Sequence, residues 1–359
     1  MRSRLWLLVA AVGLAACGGV VDVGQQNADA NQLLSELVDR YVDEFPALSP
    51  VGATYLGDHR YDSELDRVTA ESREARRAFF ELYLEELEAI DHEELIRANQ
   101  VDALLLKNSL EENLWRLEVL QEWAWNPTRY TALAGDALYS LLARDYAPLE
   151  ERLVHVAARL EQFPRLFEEI RATLEPARAP KVHAETAIKQ NPGVNTILEN
   201  YVVPYLDQLE EDQRARLEAA MSTARAEIDK HQEWLENELL PAAGGDFRIG
   251  AELFDTKLAF MLQSKMDRPA IRRRAEERMI EVREKMFELA RQILGDDYPE
   301  ASQQETIQAA LEVVYQDRPQ RGGIVDTAKA SLAQATEFAR ANNIVTVPSD
   351  PVEIIIMPE

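Results

Sequence analysis

The chain has 359 residues, with 64 Asp and Glu against 39 Lys and Arg and a formal net charge of -25. So acidic a polypeptide is repelled by nucleic-acid phosphates and by anionic lipid headgroups, which excludes DNA, RNA and a basic membrane patch as partners. Hydrophobic residues (46%) suffice for a core, the single cysteine rules out an internal disulfide, and only 14 glycines argue against a turn-rich β protein.

The first element is a basic tip, Arg2 and Arg4, followed by an apolar run from Leu5 to Leu14 and then Ala15-Ala16-Cys17. The run is roughly half of what a membrane-spanning helix needs, and the layout is that of a secretory signal. The position of Cys17 makes it a lipoprotein signal: residues 1–16 are removed and the Cys17 thiol carries a diacylglycerol. Each buried methylene of such an anchor contributes about 0.8 kcal/mol. The alternative is a plain secretory signal with a cysteine there by chance. Gly18, in place of an aspartate, favours the outer membrane, facing the periplasm, in a Gram-negative cell. Residues 17–30 read as a short tether.

From Asn31 to Asn343 the pattern is helical, giving one helical domain over 31–343. Leu33, Leu34, Leu37, Val38 and Tyr41 follow the i, i+3, i+4 spacing of an apolar face. Ser49-Pro50 reads as an N-cap with proline at the first helical position. Helices follow over Thr69–Ile90 and Glu93–Gln121, and another from Asn126-Pro127-Thr128 toward Arg144. Pro148 and Pro164 open two more, and Pro176 and Pro180 bound a loop. Asn191-Pro192-Gly193 marks a turn or a helix start. Further helices run over Glu210–Leu240 and, approximately, Ile249–Leu262, Pro269–Leu294, Gln303–Tyr315 and Ile324–Asn343. Ile344–Val347 and Val352–Met357 are β-branched and read as strands. Few other residues do, so this C-terminal β segment, 344–359, lacks partner strands. The expected fold is mainly α, a multi-helical array of long antiparallel helices, with that segment leading into a C-terminal half missing from this chain.

Catalytic constellations are scarce. His59, His92, His155, His183 and His231 are far apart in sequence. His92-Glu93-Glu94 is followed by Arg97 and not by a second histidine at zinc spacing, so it reads as the polar start of a helix. His183 and Glu185 fall on different helix faces. There is no G-x-S-x-G, no P-loop and no catalytic cysteine, so no catalytic, cofactor or metal residue is assigned. Trp115, Trp123 and Trp125 read either as packing between helices or as the wall of a ligand groove. Arg272-Arg273-Arg274 reads as one half of helix-surface ion pairs with Glu276, Glu277 and Glu281. Asp58-His59-Arg60-Tyr61-Asp62, directly after Gly57, is dense in hydrogen-bonding groups. It orders a loop, caps a helix or contacts a ligand. Together with Arg248, these five residues are the candidate ligand contacts.

Phe45-Pro46 followed by Ala53–Asp62 resembles the opening of the bacterial "domain of unknown function 885" family of exported, often lipid-anchored helical proteins. His183–Ile188 with Gln190 and Gly193, Asp246–Phe254 with Lys257-Leu258, and Val345–Pro348 with Pro351–Glu353 and Pro358-Glu359 continue the resemblance in order. The resemblance implies a zinc-peptidase-like architecture, similar to helical carboxypeptidases and oligopeptidases. It further implies a downstream His-Glu-x-x-Pro-Gly-His motif whose histidines bind zinc and whose glutamate activates water. This sequence departs from the family there: the motif is absent and no residue inherits those roles. Zinc is therefore expected only in a full-length relative. The expectation is an N-terminal helical portion of a lipid-anchored metallopeptidase, inactive alone, with peptides as possible partners. The alternative is a non-catalytic helical lipoprotein that binds a ligand or serves as a scaffold.

Overall fold

A computed structural model describes residues 23–295, 298–352 and 354. Cys17, the expected signal and most of the final apolar run lie outside the described residues. The fold is mainly α. A first compact unit, ending at Lys265, contains eleven of the labelled helices. These are α1 (Val23–Glu44), α2 (Pro50–Leu56), α3 (Ala70–Glu88), α4 (Arg97–Trp115), α5 (Thr128–Leu142) and α6 (Leu149–Leu160), then α7 (Phe163–Thr173), α8 (Lys181–Gln190), α9 (Gly193–Tyr201), α10 (Glu211–Trp234) and α11 (Ala251–Leu262). A second unit, from Met266, contains α12 (Arg268–Leu294), α13 (Gln303–Tyr315) and α14 (Ile324–Ala341). The helical pattern that looked continuous in sequence is thus divided between two units.

The helix ends follow from local chemistry. Thr69 accepts a hydrogen bond from the Ser72 amide and starts α3, and Asp267 does the same for α12 through Ala270. Ser302 and Glu305 form a capping box on α13. His92–Glu94 forms a separate 3-10 turn capped by Asp91, and α4 begins only at Arg97. The other end of α4 relaxes into a π turn, Arg116–Leu120, and Gln121 closes it at φ 52°. That widened end leaves carbonyls without helical donors, and the Trp123 and Trp125 indole N–H groups donate to Leu117 O and Leu120 O.

The expected strands do not form among the described residues. An isolated bridge joins Pro180 to Gly245, where a Cβ would lie 2.0 Å from Arg178 O, so only glycine fits. Ile344–Val347 is not a strand because β-branched composition supplies propensity while neighbouring strands supply the bonds. The Ile344 amide instead donates to Ala339 O and closes α14, next to Asn343 at φ 49°.

The first unit has two cores. One joins α1, α3 and α4 through Leu34, Leu37, Phe80, Tyr83 and Leu110, with Tyr41, Phe45 and Phe79 stacked around them. The larger one is built by α5 to α10. There Leu153, Val156, Ala157 and Leu160 put one face of α6 inward, against Leu138, Leu141, Leu217 and Met221. In the second unit Ala290 of α12 packs against Ile307 and Ala310 of α13.

His231 of α10 sits inside the large core, its ring 4.7 Å from Phe167 and 5.7 Å from Trp234. Burial, reinforced by the charge of Arg171, pushes its pKa down to about 3. The unfolded chain therefore binds a proton near pH 6.5 that the folded chain refuses. Its contribution to stability is complete above pH 6.5 and falls as the pH drops toward 3, by about 1.4 kcal/mol per pH unit. His231→Leu is expected to flatten the melting temperature against pH between pH 6 and pH 4. Curves that stay parallel for variant and parent would reject this account.

Candidate functional site

Gly57, at φ +92°, ends α2 and turns the chain into Asp58–Asp62. Asp58 accepts from the Arg60 amide, and the Arg60 guanidinium reaches both Asp58 and Asp43, at 2.7 and 2.6 Å. The Arg60 hydrogen bonds hold the Asp58 carboxyl below the usual range. Arg60 also lies over the Tyr61 ring, 5.4 Å from its centre. This clamp directs Asp62 inward, where it accepts from Thr54 Oγ1 at 2.6 Å and Tyr146 OH at 2.6 Å and lies 3.0 Å from His59 Nδ1. The His59 ring stacks on Tyr146 at 3.5 Å. Burial and the Asp62 bond raise the Tyr146 phenol. Beneath them lies Arg159, fully buried. It donates to Thr54 Oγ1, Pro50 O, Glu64 O and Ala137 O, at 2.7 to 3.3 Å.

Asp66, four residues on, does the capping that Ser49 was expected to do. Its carboxylate accepts from the Val51 amide at 2.9 Å and from Ser49 Oγ at 2.8 Å. The Ser49 hydroxyl is a donor there, so the negative charge that stabilises the N-terminus of α2 comes from Asp66.

Beyond Asp66, where residues of the two cores of the first unit meet, a cavity of about 200 Å³ opens. Phe45, Phe80, Leu117 and Trp123 form its apolar wall. Arg67, Arg73, Arg76, Arg116 and Arg129 also line it, and no Asp or Glu does. An adjoining lobe of about 370 Å³ shares Arg76, Arg129 and Tyr130 and adds Asp66 and Asp136. Burial raises the Asp136 carboxyl.

The five arginines differ in their partners. Arg67 is paired with Glu169 at 2.7 Å, and Arg116 with Glu112 at 2.6 Å. Arg76 donates to Leu48 O at 2.6 Å and is 3.5 Å from Asp66. Burial lowers its pKa, and the charge of Arg129 lowers it further. Arg73 donates to Val68 O and lies over Trp123, 3.9 Å from the ring centre. Among the described residues neither Arg73 nor Arg129 makes an ion pair. Such an arrangement presents planar donors suited to an anion, with Arg73 and Arg76 held in place by backbone carbonyls.

The other sequence candidates lie elsewhere. Arg248 lines neither lobe. It is exposed, 3.7 Å from Asp246 and over the Phe247 ring. Trp115 meets Phe260, Trp125 stacks on His183, and of the three tryptophans only Trp123 lines the cleft. The histidines do not fit zinc: His59 faces Asp62, His92 lies against Gln100 O, and His155 lies against Ser63 Oγ. His183 stacks on Trp125 and His231 is enclosed by aromatic rings, so among the described residues no three His, Cys, Asp or Glu could hold a metal. Sequence reading missed Arg73, Arg76 and Arg129. Their only signal was arginines on α3 and at the start of α5, indistinguishable there from surface ion pairs. No described helix is long and apolar enough to cross a membrane.

Comparison with known proteins gives a family and a fold. A family model described as "Bacterial protein of unknown function (DUF885)" matches residues 50–359. A solved structure described as "a putative lipoprotein of unknown function from Shewanella oneidensis" is similar, with a TM-score of 0.73 and 23% identity. The match covers 88% of this chain and 59% of that one, so the chain spans less than two thirds of the neighbour's length. No curated protein matches.

The Thr54 hydroxyl joins the acidic and basic halves of the buried network. Thr54→Val removes a donor to Asp62 and an acceptor of Arg159 together, and is expected to cost about 1–3 kcal/mol in urea unfolding with an unchanged slope. Thr54→Ser keeps the hydroxyl and should retain most of that stability. Equal losses in the two variants would show that the methyl, not the network, matters.

Proposed function

Since this chain belongs to the DUF885 family, we propose that it serves as the ligand-holding helical part of a lipid-anchored protein of the bacterial cell envelope. The observation that carries this reading is the cleft: an open-mouthed, apolar-walled, arginine-lined space in a chain of net charge -25. Surface side chains alone rarely build such a concavity, whereas binding sites commonly combine an apolar wall with a few convergent polar groups. Anchoring rests on Cys17 behind its apolar run, and the Shewanella oneidensis neighbour, itself described as a lipoprotein, supports it. In a Gram-negative envelope the anchor places the protein on the outer membrane, facing the periplasm.

A second reading is favoured by the neighbour's greater length. In it, this chain is the helical wall of a longer zinc-dependent peptidase, with peptides as substrates and a C-terminal half supplying the metal. The chain's own histidines do not fit that metal, so no catalytic step is assigned to them.

Two measurements test these proposals. Cys17→Ser should move the protein from the membrane fraction to the soluble one; retention in the membrane would reject the lipid anchor. The chain from residue 18 should purify without stoichiometric zinc and release no amino acids from peptides. Bound zinc at one equivalent, or robust turnover, would replace the binding role with a catalytic one.

A further inference from the structure

We propose that the cleft recognises the oxyanion head, carboxylate or phosphate, of a small organic acid whose apolar body lies against Phe45, Phe80 and Trp123. The proposal rests on the cleft being the ligand-holding place and adds the chemical class of the ligand. Three observations carry it.

The first is charge. Acidic residues dominate the chain, yet five arginines and no carboxylate line this cavity. Arg67 and Arg116 have carboxylates of their own behind the wall. Arg73, Arg76 and Arg129 have one ion-pair partner between them, Asp66, which is 3.5 Å from Arg76 and already holds Ser49 and Val51, while Glu71 acts on Arg73 from farther off and Asp136 lines the adjoining lobe. Arg76 is largely covered, its side chain 21% exposed, while Arg67 and Arg129 remain exposed to solvent.

The second is position. Arg129 occupies the first turn of α5, where the helix dipole disfavours a cation and favours an anion. At the other end of the same helix the dipole is satisfied as expected: Arg152 donates to Leu141 O and Leu142 O. Arg129 thus stands at a helix start that favours an anion and lines the same cavity as Arg76, so an oxyanion there meets both the helix N-terminus and two guanidinium groups.

The third is rigidity and size. Arg73 is held over Trp123, whose indole is fixed by Leu117 O, so one guanidinium plane is oriented before any ligand arrives. A cavity of about 200 Å³ is slightly larger than the ~150 Å³ that accepts a benzene ring, so it has room for one ring or short chain with its head group, and the lobe of about 370 Å³ adjoins it.

Isothermal titration of the full chain with benzoate, phenyl phosphate and the neutral benzamide tests this. One or both anions should bind, and benzamide about tenfold more weakly or not at all. Binding confined to one anion identifies the head group. Arg129→Gln should weaken the anion about tenfold with circular dichroism and melting unchanged, and Arg73→Gln should weaken it as much with a lower melting temperature, since it also loses the Val68 O bond and the Trp123 contact. Arg129 is exposed and donates to no core carbonyl, so its variant is the one expected to fold without penalty. Benzamide binding as tightly as benzoate would overturn the oxyanion assignment and leave the cleft as a binding place. Anion affinity unchanged in both variants would move the site elsewhere. No binding of any probe to the folded protein would overturn both the assignment and the reading it rests on.

Discussion

One buried positive charge organises the first unit. Arg159 has no access to water, and an enclosed guanidinium is tolerated only where acceptors surround it. It finds them on α2, on the 58–66 loop and on α5, while Asp62 and Asp66 supply the compensating field. Burial still dominates and lowers its pKa to about 10, which leaves the charge in place at neutral pH. Three segments remote in sequence are thereby fixed to α6 by hydrogen-bond geometry and not by apolar contact alone. Where removal of one partner strands a buried charge, losses of roughly 3–5 kcal/mol are usual, so this network constrains the unit more tightly than any exposed pair.

The cleft is a by-product of that arrangement. Fixing α2 and the loop at Asp66 leaves a gap between the two cores that apolar side chains from both sides border without filling. Into it project arginines from α3, from the end of α4 and from the start of α5. Low-dielectric walls concentrate their field, so the site is positive inside a strongly negative molecule. The net charge of -25 repels anions at long range, so the arginine field acts only over the short distances within the cleft.

The helices were legible because apolar spacing, proline and cap residues act locally: Gln303–Tyr315 appears where the pattern put it, and the α12 end at Leu294 does too. Partner choice was not legible. Arg159, Arg129 and Arg272 are alike in the sequence, yet one is buried among carbonyls, one faces a cavity, and one pairs with Glu276 on a helix surface. Only the tertiary arrangement separates them. The Asp58–Asp62 stretch announced a dense hydrogen-bonding loop, and the structure shows those groups turned toward each other and toward Thr54 and Tyr146. The strand expected at Ile344–Val347 depended on partners that no local pattern supplies.

Asp66 gives the cleft a mechanical connection. The same carboxylate caps the first turn of α2 and stands beside Arg76, so the two share one electrostatic circuit. The start of α2, the helix that leads directly into the Gly57 turn, and the covered arginine of the cleft therefore depend on one and the same carboxylate.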